Sequence, residues 1–338
     1  NNESSIYRSS PVQAGSLTTW ASASASQGNT SIAIKSDGTM WSWGSGGSGA
    51  SGQGTTASSS SPTQIGALTT WSNVSTGYDF SAAVKTDGTL WAWGVNDKGQ
   101  LGIGTTVSKS SPTQVGTLTT WSSVSCGTFL SLAVKTDGTL WAWGRNLEGQ
   151  LGQNNTIYRS SPVQVGALTT WYKVAAGGNF SLALKTDGTL WAWGENTYGQ
   201  LGLNIAYYQR KSSPVQIGAL TNWAKISAKP YNSAAIKTDG TLWTWGRNGY
   251  GELGDQTTFN RSSPVQVGAL TTWNNVSCAW QSTAATKTDG TLWTWGENGS
   301  GQLGLGNTTN YSSPKQVGAL TTWGLVAGGQ QFMLFLKY

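Results

Sequence analysis

The chain of 338 residues contains no histidine, which removes the side chain that most often serves as a general base or a metal ligand. Charged residues make up only 10% of the sequence, so a charged solvating tail or a coiled coil is excluded. No apolar run reaches 18 residues, and no segment is expected to insert into a membrane. Carboxylate pairs such as Glu252 and Asp255 have no orienting partner in the sequence. We therefore expect neither an enzyme nor a bound metal or cofactor.

Only two cysteines are present, Cys126 and Cys278. Both occupy the same position of an internal repeat, where other copies have threonine or alanine. This exchange among small residues favours two buried side chains over a disulfide or a reactive thiol.

What is abundant is self-similarity, with a period of about 50 residues. The motif DGTLWAWG or a near copy begins at six aspartates, and SSP-X-Q and T-X-W motifs recur seven times. Within one copy, residues 161–202, four short extended segments are separated by turn signals. FSLALK alternates its side chains, and TDGT is an Asp-Gly turn signal between strands. Four strands per period, repeated about seven times, predict a β-propeller.

We therefore predict an all-β fold, a single propeller domain over residues 1–338 with seven blades of four antiparallel strands. It would contain six full repeats plus a split seventh. The chain ends lack one DGTLWAWG segment, so the seventh blade is predicted to be missing one strand. We expect a flanking segment N-terminal to this sequence to supply that strand, or alternatively another subunit.

Nineteen of the 20 tryptophans recur at the T-X-W and W-X-W positions and are predicted to pack between blades. The lysine of each K-X-D-G turn is interpreted as a turn residue with a solvated charge. Trp280 is the remaining tryptophan, and it lies where the copies differ.

Connections between antiparallel strands alternate between the two ends of a sheet. The turns from the first to the second strand and the loops from the third to the fourth strand should therefore lie on the same face of the propeller. These segments differ between copies, as in AWQS, KPYN and GGNF, whereas the connections on the opposite side are nearly identical. We call the first side the variable face and the second the constant face. The pattern indicates a surface adapted for contact, the alternative being that loops simply vary more.

Partner-binding residues are therefore predicted on the variable face, where large rings lie among small polar residues. In the first-to-second turns they are Tyr78, Asp79, Phe129, Asn179, Tyr231, Trp280, Gln281 and Gln331, and in the long loops Tyr198, Tyr208 and Tyr250. The formal charge of +6 comes largely from the repeated lysines of the constant face. Acids and bases are mixed on the variable face, which argues against a nucleic-acid partner.

The pattern SLALK-X-DG-X-LWAWG-X-N-X-X-GQLG resembles the regulator-of-chromosome-condensation repeat family over the whole chain. The family's usual histidine before SLAL is replaced here, for example by Phe80, Leu130 and Phe180. The resemblance implies a β-propeller, and the family's founding activity is that of a chromatin-bound exchange factor for a small GTPase. In the near-identity of its repeats and its low charge, the chain is similar to secreted bacterial members such as the propeller that inhibits β-lactamases. That relative uses aromatic residues in the corresponding turns.

Together these features predict a non-enzymatic recognition or adhesion module that binds a protein or a surface glycan through the variable face. An extracellular location, or one on a cell or virion surface, is expected. One alternative is a chromatin-associated exchange-factor-like propeller, which would need a basic DNA-binding face or tail that the sequence lacks. The other is a purely structural repeat domain of a surface or virion protein.

Overall fold

The computed structural model describes residues 8–14 and 19–337. Besides one 3₁₀ helix, Gly47–Gly49, the regular structure in this part of the chain consists of β-strands. Twenty-four of them form six four-stranded antiparallel sheets, each ordered as in the chain. These strands are β1 (Trp20–Ala25), β2 (Thr30–Lys35), β3 (Met40–Gly44), β4 (Ser59–Gln64), β5 (Trp71–Thr76), β6 (Phe80–Lys85), β7 (Leu90–Gly94), β8 (Lys109–Gln114), β9 (Trp121–Cys126), β10 (Leu130–Lys135), β11 (Leu140–Gly144), β12 (Arg159–Gln164), β13 (Trp171–Ala176), β14 (Phe180–Lys185), β15 (Leu190–Gly194), β16 (Lys211–Gln216), β17 (Trp223–Ala228), β18 (Asn232–Lys237), β19 (Leu242–Gly246), β20 (Arg261–Gln266), β21 (Trp273–Cys278), β22 (Ser282–Lys287), β23 (Leu292–Gly296) and β24 (Tyr311–Gln316).

Two further strands, β25 (Trp323–Gly328) and β26 (Met333–Lys337), form a two-stranded sheet. This sheet completes the ring, because β25 contacts β21 and β22 on one side and β1 on the other. None of the helices in the described ranges has the length and apolarity that a membrane crossing requires.

The prediction of seven four-stranded blades, the last missing a single strand, is wrong. Among the described residues, the fold is a propeller of six four-stranded blades with one additional two-stranded sheet. The physical reason is that the last copy has no W-X-W strand to lie beside β26. Residues 8–13 carry the SSP-X-Q motif of a fourth strand. Without a third strand between them and β26 they have no ladder of hydrogen bonds and form no strand.

Each complete blade has the same turn between its second and third strands. In the third blade, Gly138 takes φ = +77°, and its N–H donates to the carbonyl of Lys135 over 3.0 Å. Asp137 Oδ1 accepts from the N–H of Thr139 at 2.9 Å and from its hydroxyl at 2.6 Å. The hydroxyl oxygen in turn accepts from Trp141 Nε1 at 2.9 Å. The Asp-Gly-Thr sequence thus closes the turn and fixes the orientation of the first tryptophan of the W-X-W pair.

The sequence had indicated that the repeated lysines are turn residues with a solvated charge, and for the lysines of the complete blades this is wrong. The ammonium of Lys135 lies 3.8 Å from the centroid of the Trp141 ring and 5.0 Å from that of Trp121. Only 8% of the residue's surface is exposed, and burial lowers the pKa of the amine. The cation is therefore held against two aromatic faces, an arrangement that offsets part of its desolvation.

The core lies between neighbouring blades. The fully buried Trp143 packs with Phe80, Leu90 and Leu101 of the preceding blade. Its indole N–H donates across the interface to the carbonyl of Gln100 at 2.9 Å. Equivalent bonds join Trp93, Trp193, Trp245 and Trp295 to the blades before them. Each interface therefore combines a large apolar contact with one fixed polar contact.

The Asp-Gly-Thr turns predict that the fold loses stability in acid. Hydrogen bonds from the threonine hydroxyl and N–H lower the pKa of each turn aspartate below its ordinary value of 3.8. Because the folded-state pKa is depressed, this contribution is complete above the unfolded value and disappears as the pH falls through the folded value. We expect the urea midpoint, followed by tryptophan fluorescence, to decrease steeply below about pH 4.

A matched variant isolates this effect. Asp137→Asn keeps an acceptor oxygen for Thr139 but removes one titrating group. It should therefore show a shallower decrease of the urea midpoint with acid than the parent chain. An identical decrease in both proteins would contradict the assignment.

Candidate recognition site

The structure confirms that the two variable elements share one face. The N–H of Arg145, at the start of a third-to-fourth loop, donates to the carbonyl of Phe129 in the first-to-second turn at 2.9 Å. On the constant face, Thr136 N–H donates to the carbonyl of Thr120 at 2.8 Å, which joins the second-to-third turn to the fourth-to-first link. The other complete blades repeat the first of these contacts. The variable face is therefore built from turns and loops that are bonded to one another.

Five residues of this face form what we call the aromatic–arginine cluster: Tyr198, Tyr231, Arg247, Tyr250 and Trp280. The Tyr231 ring lies between two others, with centroid distances of 5.3 Å to Tyr198 and 5.8 Å to Trp280, both edge-on. The guanidinium carbon of Arg247 lies 5.8, 5.7 and 5.6 Å from the rings of Tyr198, Tyr231 and Tyr250. Three loops and turns thus place one cation among three aromatic rings.

Two polar side chains hold the guanidinium in this position. With its amide oriented to satisfy both partners, Gln281 accepts from Arg247 Nη1 at 2.8 Å and from Nη2 at 3.2 Å. Glu252 Oε1 lies 3.9 Å from Arg247 Nε, and Glu252 Oε2 accepts from the N–H of Tyr250 at 2.7 Å. Burial raises the pKa of the Glu252 carboxyl, and burial likewise raises the pKa of Tyr231. The cluster is therefore oriented before any ligand binds.

A second group of predicted residues continues along the face. Tyr78 and Phe129 have ring centroids 6.2 Å apart, and the guanidinium carbon of Arg145 lies 6.0 Å from the Phe129 ring. Arg145 Nη1 donates to Asn179 Oδ1 at 3.3 Å, and Asn179 Nδ2 donates to Glu195 Oε2 at 3.1 Å. The contacts run without a break across successive turns. Asp79 is half-buried beside Tyr78, and burial raises the pKa of its carboxyl.

Two predicted residues lie apart from these groups. Tyr208 is 75% exposed in a long loop, at φ = +68°, and Gln331 is exposed in the last turn. Within residues 8–14 and 19–337, neither side chain makes a hydrogen bond or ring contact with the aromatic–arginine cluster. For all the predicted residues, a role in binding stays a prediction.

Sequence reasoning placed two arginines and a glutamate that organise the face among its mixed charges but not among the partner-binding residues: Arg145, Arg247 and Glu195. All three directly follow the glycine that ends a third strand and precede a buried asparagine. The other copies have Ser45, Val95 and Glu297 at this position. A charge that changes sign between two constant neighbours is the signal that could have revealed them.

The centre of the ring encloses a cavity of about 220 Å³, lined by the first strands of all sheets. The ammonium of Lys229 reaches across it and donates to the carbonyl of Ala25 at 3.1 Å, and burial lowers the pKa of this amine to about 8. Cys126 and Cys278 are free and buried, as predicted, and burial raises the pKa of both thiols to about 12. The thiols are therefore neutral and poor nucleophiles.

Asp255, a carboxylate of the variable face, is engaged in structural contacts. Asp255 Oδ2 lies 2.7 Å from Arg261 Nη2, and Asp255 Oδ1 accepts from the hydroxyl of Thr257 at 2.7 Å. In the part of the chain that the structure describes, no group of three or more His, Cys, Asp or Glu residues is placed to hold a metal ion.

Comparisons with known proteins agree with this architecture. The model of the RCC1-like domain matches residues 2–335. No curated protein sequence matches the chain at a significant level. Human WBSCR16 is similar in structure, with a TM-score of 0.86 and 21% identity over 98% of this chain and 89% of that one. Prp20p of Saccharomyces cerevisiae, whose binding to Gsp1p and histones has been characterised, has a TM-score of 0.81 and 21% identity over 94% of this chain and 83% of its own. The match of the domain model over nearly the whole sequence shows that the chain belongs to the RCC1-like domain family.

Proposed function

We propose that the chain is a non-enzymatic recognition module that binds a protein partner through the variable face. The observation that supports this most directly is the aromatic–arginine cluster. It lies where the otherwise repeated copies differ. Tyrosine, tryptophan and arginine are the residue types that most often dominate the free energy of protein binding. A location outside the cell, or on a cell or virion surface, is part of this proposal.

The arrangement of the cluster favours a protein over a polyanion. Arg247 is the only cation of the cluster, and its side chain is 22% exposed because three rings, Gln281 and Glu252 surround it. A surface that binds a phosphate backbone needs several accessible basic side chains. A hot spot for protein binding needs rigid aromatic side chains with a few oriented polar groups. Tyr250 keeps 37% of its surface exposed at the rim, where a partner could cover it. A surface glycan that stacks on these rings is the alternative that the test separates.

The test replaces residues 279–281, Ala-Trp-Gln, with Gly-Gly-Asn, the sequence that the chain itself uses at 177–179. Both sequences serve as three-residue turns between a first and a second strand, so the scaffold should be preserved. Parent and variant are immobilised and exposed to envelope fractions, lysate and a glycan array from the native environment. The captured proteins are then purified for affinity measurements. We expect the variant to bind the partner at least about tenfold more weakly, because the Trp280 ring is removed.

One substitution serves as a control. Leu270→Ala changes a 47% exposed side chain on the constant face. It should bind within about twofold of the parent. Equal capture by the parent and the turn variant would move the site to the constant face or the channel. Binding confined to the glycan array would replace the protein partner by a glycan.

Membership of the RCC1-like family favours a second candidate, an exchange-factor-like propeller acting on a small GTPase. An assay of nucleotide release from a small GTPase loaded with a fluorescent guanine nucleotide separates the two candidates. Acceleration of release by the parent chain would support the exchange factor and overturn the non-enzymatic proposal.

A further inference from the structure

The wall of the central cavity carries positive charge and no negative charge. It is formed by the first strands of the seven sheets, β1, β5, β9, β13, β17, β21 and β25, which contain Lys173 and Lys225 but no aspartate or glutamate. A third lysine, Lys229, directly follows β17 and lines the cavity. Burial, and then the neighbouring cation of Lys173, lower the pKa of Lys225. The channel is therefore a region of positive potential, because low-dielectric walls of one charge sign concentrate the field.

Lys229 is the lysine of the channel whose charge is least compensated. Lys225 Nζ donates to the carbonyl of Asn274 at 2.6 Å and to the side-chain oxygens of Asn274 and Asn275 at 2.9 and 3.2 Å, so its three donors are used. Lys229 Nζ donates only to the carbonyl of Ala25, at 3.1 Å, and it forms no ion pair with any residue that the structure describes. Two of its three donors are therefore free, and its charge lacks the partner that offsets the cost of removing an ammonium from water.

A lysine is exceptional at this position of the repeat. The six other copies have glycine, alanine or serine there, so the scaffold does not require the ammonium. The thiols of Cys126 and Cys278 act electrostatically on Lys229, but both are neutral at pH 7 because burial raises their pKa to about 12. The carboxyl of Asp79, in the turn of the second blade, lies against Gly28 and forms no ion pair with Lys229. A departure from the repeat that adds an uncompensated charge favours a role in binding.

Two backbone N–H groups at the same end of the cavity also lack their usual acceptor. At five junctions between neighbouring first strands, a serine hydroxyl oxygen accepts from an N–H at the end of the next strand at 2.9–3.0 Å. At the other two junctions Ala175 and Ala327 replace the serine, beside Ala228 and Ala25. The residues that follow Ala228 and Ala25 donate their N–H groups to their own second strands, at 3.2 and 2.9 Å. Strand alternation therefore directs the N–H groups of Ala228 and Ala25 away from those strands and towards the cavity.

A buried amide is a further free donor. Gln27, two residues after Ala25, has only 2% of its surface exposed. Its Oε1 accepts from the hydroxyl of Thr128 at 3.1 Å, a contact that joins the first and third blades at the variable-face end of the channel. Its Nε2 donates no hydrogen bond to the part of the chain that the structure describes. A buried amide donor without an acceptor is unfavourable, so this group, like the ammonium, is suited to an acceptor that enters the channel.

We propose that the variable-face end of the central channel binds one small oxyanion, such as sulfate or phosphate. The anion accepts hydrogen bonds from the ammonium of Lys229, from the N–H groups of Ala25 and Ala228, and from Nε2 of Gln27. Its charge compensates that of Lys229, and hydrogen bonds between charged groups are stronger than neutral ones. The cavity volume of about 220 Å³ is below the roughly 300–1,000 Å³ of pockets for larger organic ligands, so a small anion fits better than a nucleotide. This proposal does not rest on the proposed function of the variable face.

The test is isothermal titration calorimetry of the full 338-residue chain with sodium sulfate, at pH 7 and a constant ionic strength of about 0.15 M in sodium chloride. The heat of binding is measured directly because sulfate also stabilises folded proteins without binding to them. We expect saturable binding of one sulfate per chain. Lys229→Met keeps an unbranched side chain but removes the ammonium, and it should bind sulfate at least about tenfold more weakly.

A matched control removes the same charge from the other end of the channel. Lys173 lies near the constant face, roughly 13 Å along the strand direction from the level of Lys229. That separation exceeds the Debye length of about 8 Å, so Lys173→Met should bind sulfate within about threefold of the parent. The chain with Gly-Gly-Asn at 279–281 should bind sulfate as tightly as the unmodified chain. Failure of the recognition proposal therefore leaves this result unchanged.

The pH dependence of binding tests the role of Lys229 in the unmodified chain. Burial lowers the pKa of its amine to about 8, and a bound anion favours the protonated form. The dissociation constant for sulfate should therefore be at least about tenfold higher at pH 9.5 than at pH 7, since the amine loses its proton as the pH rises through its pKa. At pH 8, titrations in two buffers of different ionisation enthalpy should show uptake of about half a proton per bound sulfate. In Lys229→Met this uptake should be lost.

Four outcomes would overturn the proposal. The first is an absence of saturable sulfate binding to the unmodified chain. The second is equal binding by the parent and by Lys229→Met, provided that circular dichroism shows the variant to be folded. If that variant does not fold, the pH series on the unmodified chain decides, and an unchanged affinity between pH 7 and pH 9.5 is the third outcome. The fourth is a larger loss in Lys173→Met than in Lys229→Met, which would place the anion at the constant face.

Discussion

Replacing Trp143 with alanine should lower the free energy of unfolding by about 3–5 kcal/mol, the range for a fully buried tryptophan. The side chain has no exposed surface and fills the interface between the second and third blades. Its removal opens a cavity against Phe80 and Leu90, and the carbonyl of Gln100 keeps only the hydroxyl of Ser131 as a donor. The measurement is a urea titration at neutral pH, followed by circular dichroism because the substitution alters fluorescence.

Two variants separate packing from hydrogen bonding at this interface. Trp143→Phe retains much of the apolar contact but removes the donor, and it should lose less than the alanine variant. Leu147→Ala truncates a side chain that is 46% exposed nearby on the variable face, and it should change stability by less than about 1 kcal/mol. If Trp143→Ala were no more destabilising than Leu147→Ala, the blade interface would not be the main source of stability.

Gly138→Ala should destabilise the chain by about 2–5 kcal/mol, because two penalties combine. The residue has φ = +77°, a conformation that costs an L-residue about 1–2 kcal/mol. The added Cβ would also lie 2.1 Å from the carbonyl oxygen of Thr169, a backbone atom that cannot move without displacing the link between two blades. The free energy of unfolding from urea titration is again the measurement.

The chain has a matched control for this substitution. Gly166 has φ = +63°, and no atom lies within 4 Å of the Cβ position. Gly166→Ala should therefore incur only the cost of the backbone conformation, and the difference between the two variants gives the cost of the close contact. Equal losses would show that the turn and the link move apart freely.

Much of the blade was predictable because its determinants are local. The Asp-Gly turn, the alternation of FSLALK and the pairing of Trp141 with Trp143 on one side of a strand lie within single copies of the repeat. The sharing of one face by turns and loops followed from antiparallel alternation alone, and the structure bears it out. Regular strands could therefore be placed without knowledge of their neighbours.

Features that depend on separate parts of the chain were not predictable. The number of four-stranded blades depended on whether residues 8–13 could join the sheet of β25 and β26. They do not pair with that sheet, because no third strand lies between them and β26. The burial of Lys135 against Trp121 and Trp141 requires rings from two strands. The aromatic–arginine cluster joins Tyr198 of the fourth blade, Arg247 of the fifth and Trp280 of the sixth, and no spacing within one copy encodes that meeting.

The bond from the second tryptophan of each W-X-W pair to the preceding blade has a genetic consequence. Each of the five interfaces described between consecutive four-stranded blades uses the same donor and a carbonyl at the same place in the loop. A duplicated or exchanged repeat can therefore form the same hydrogen bond with the blade on either side of it without further mutation. Unequal recombination can thus copy the scaffold of one repeat into another, while point mutation diversifies the three-residue turns. A gene built in this way can encode a new contact surface while the residues that determine the fold stay the same.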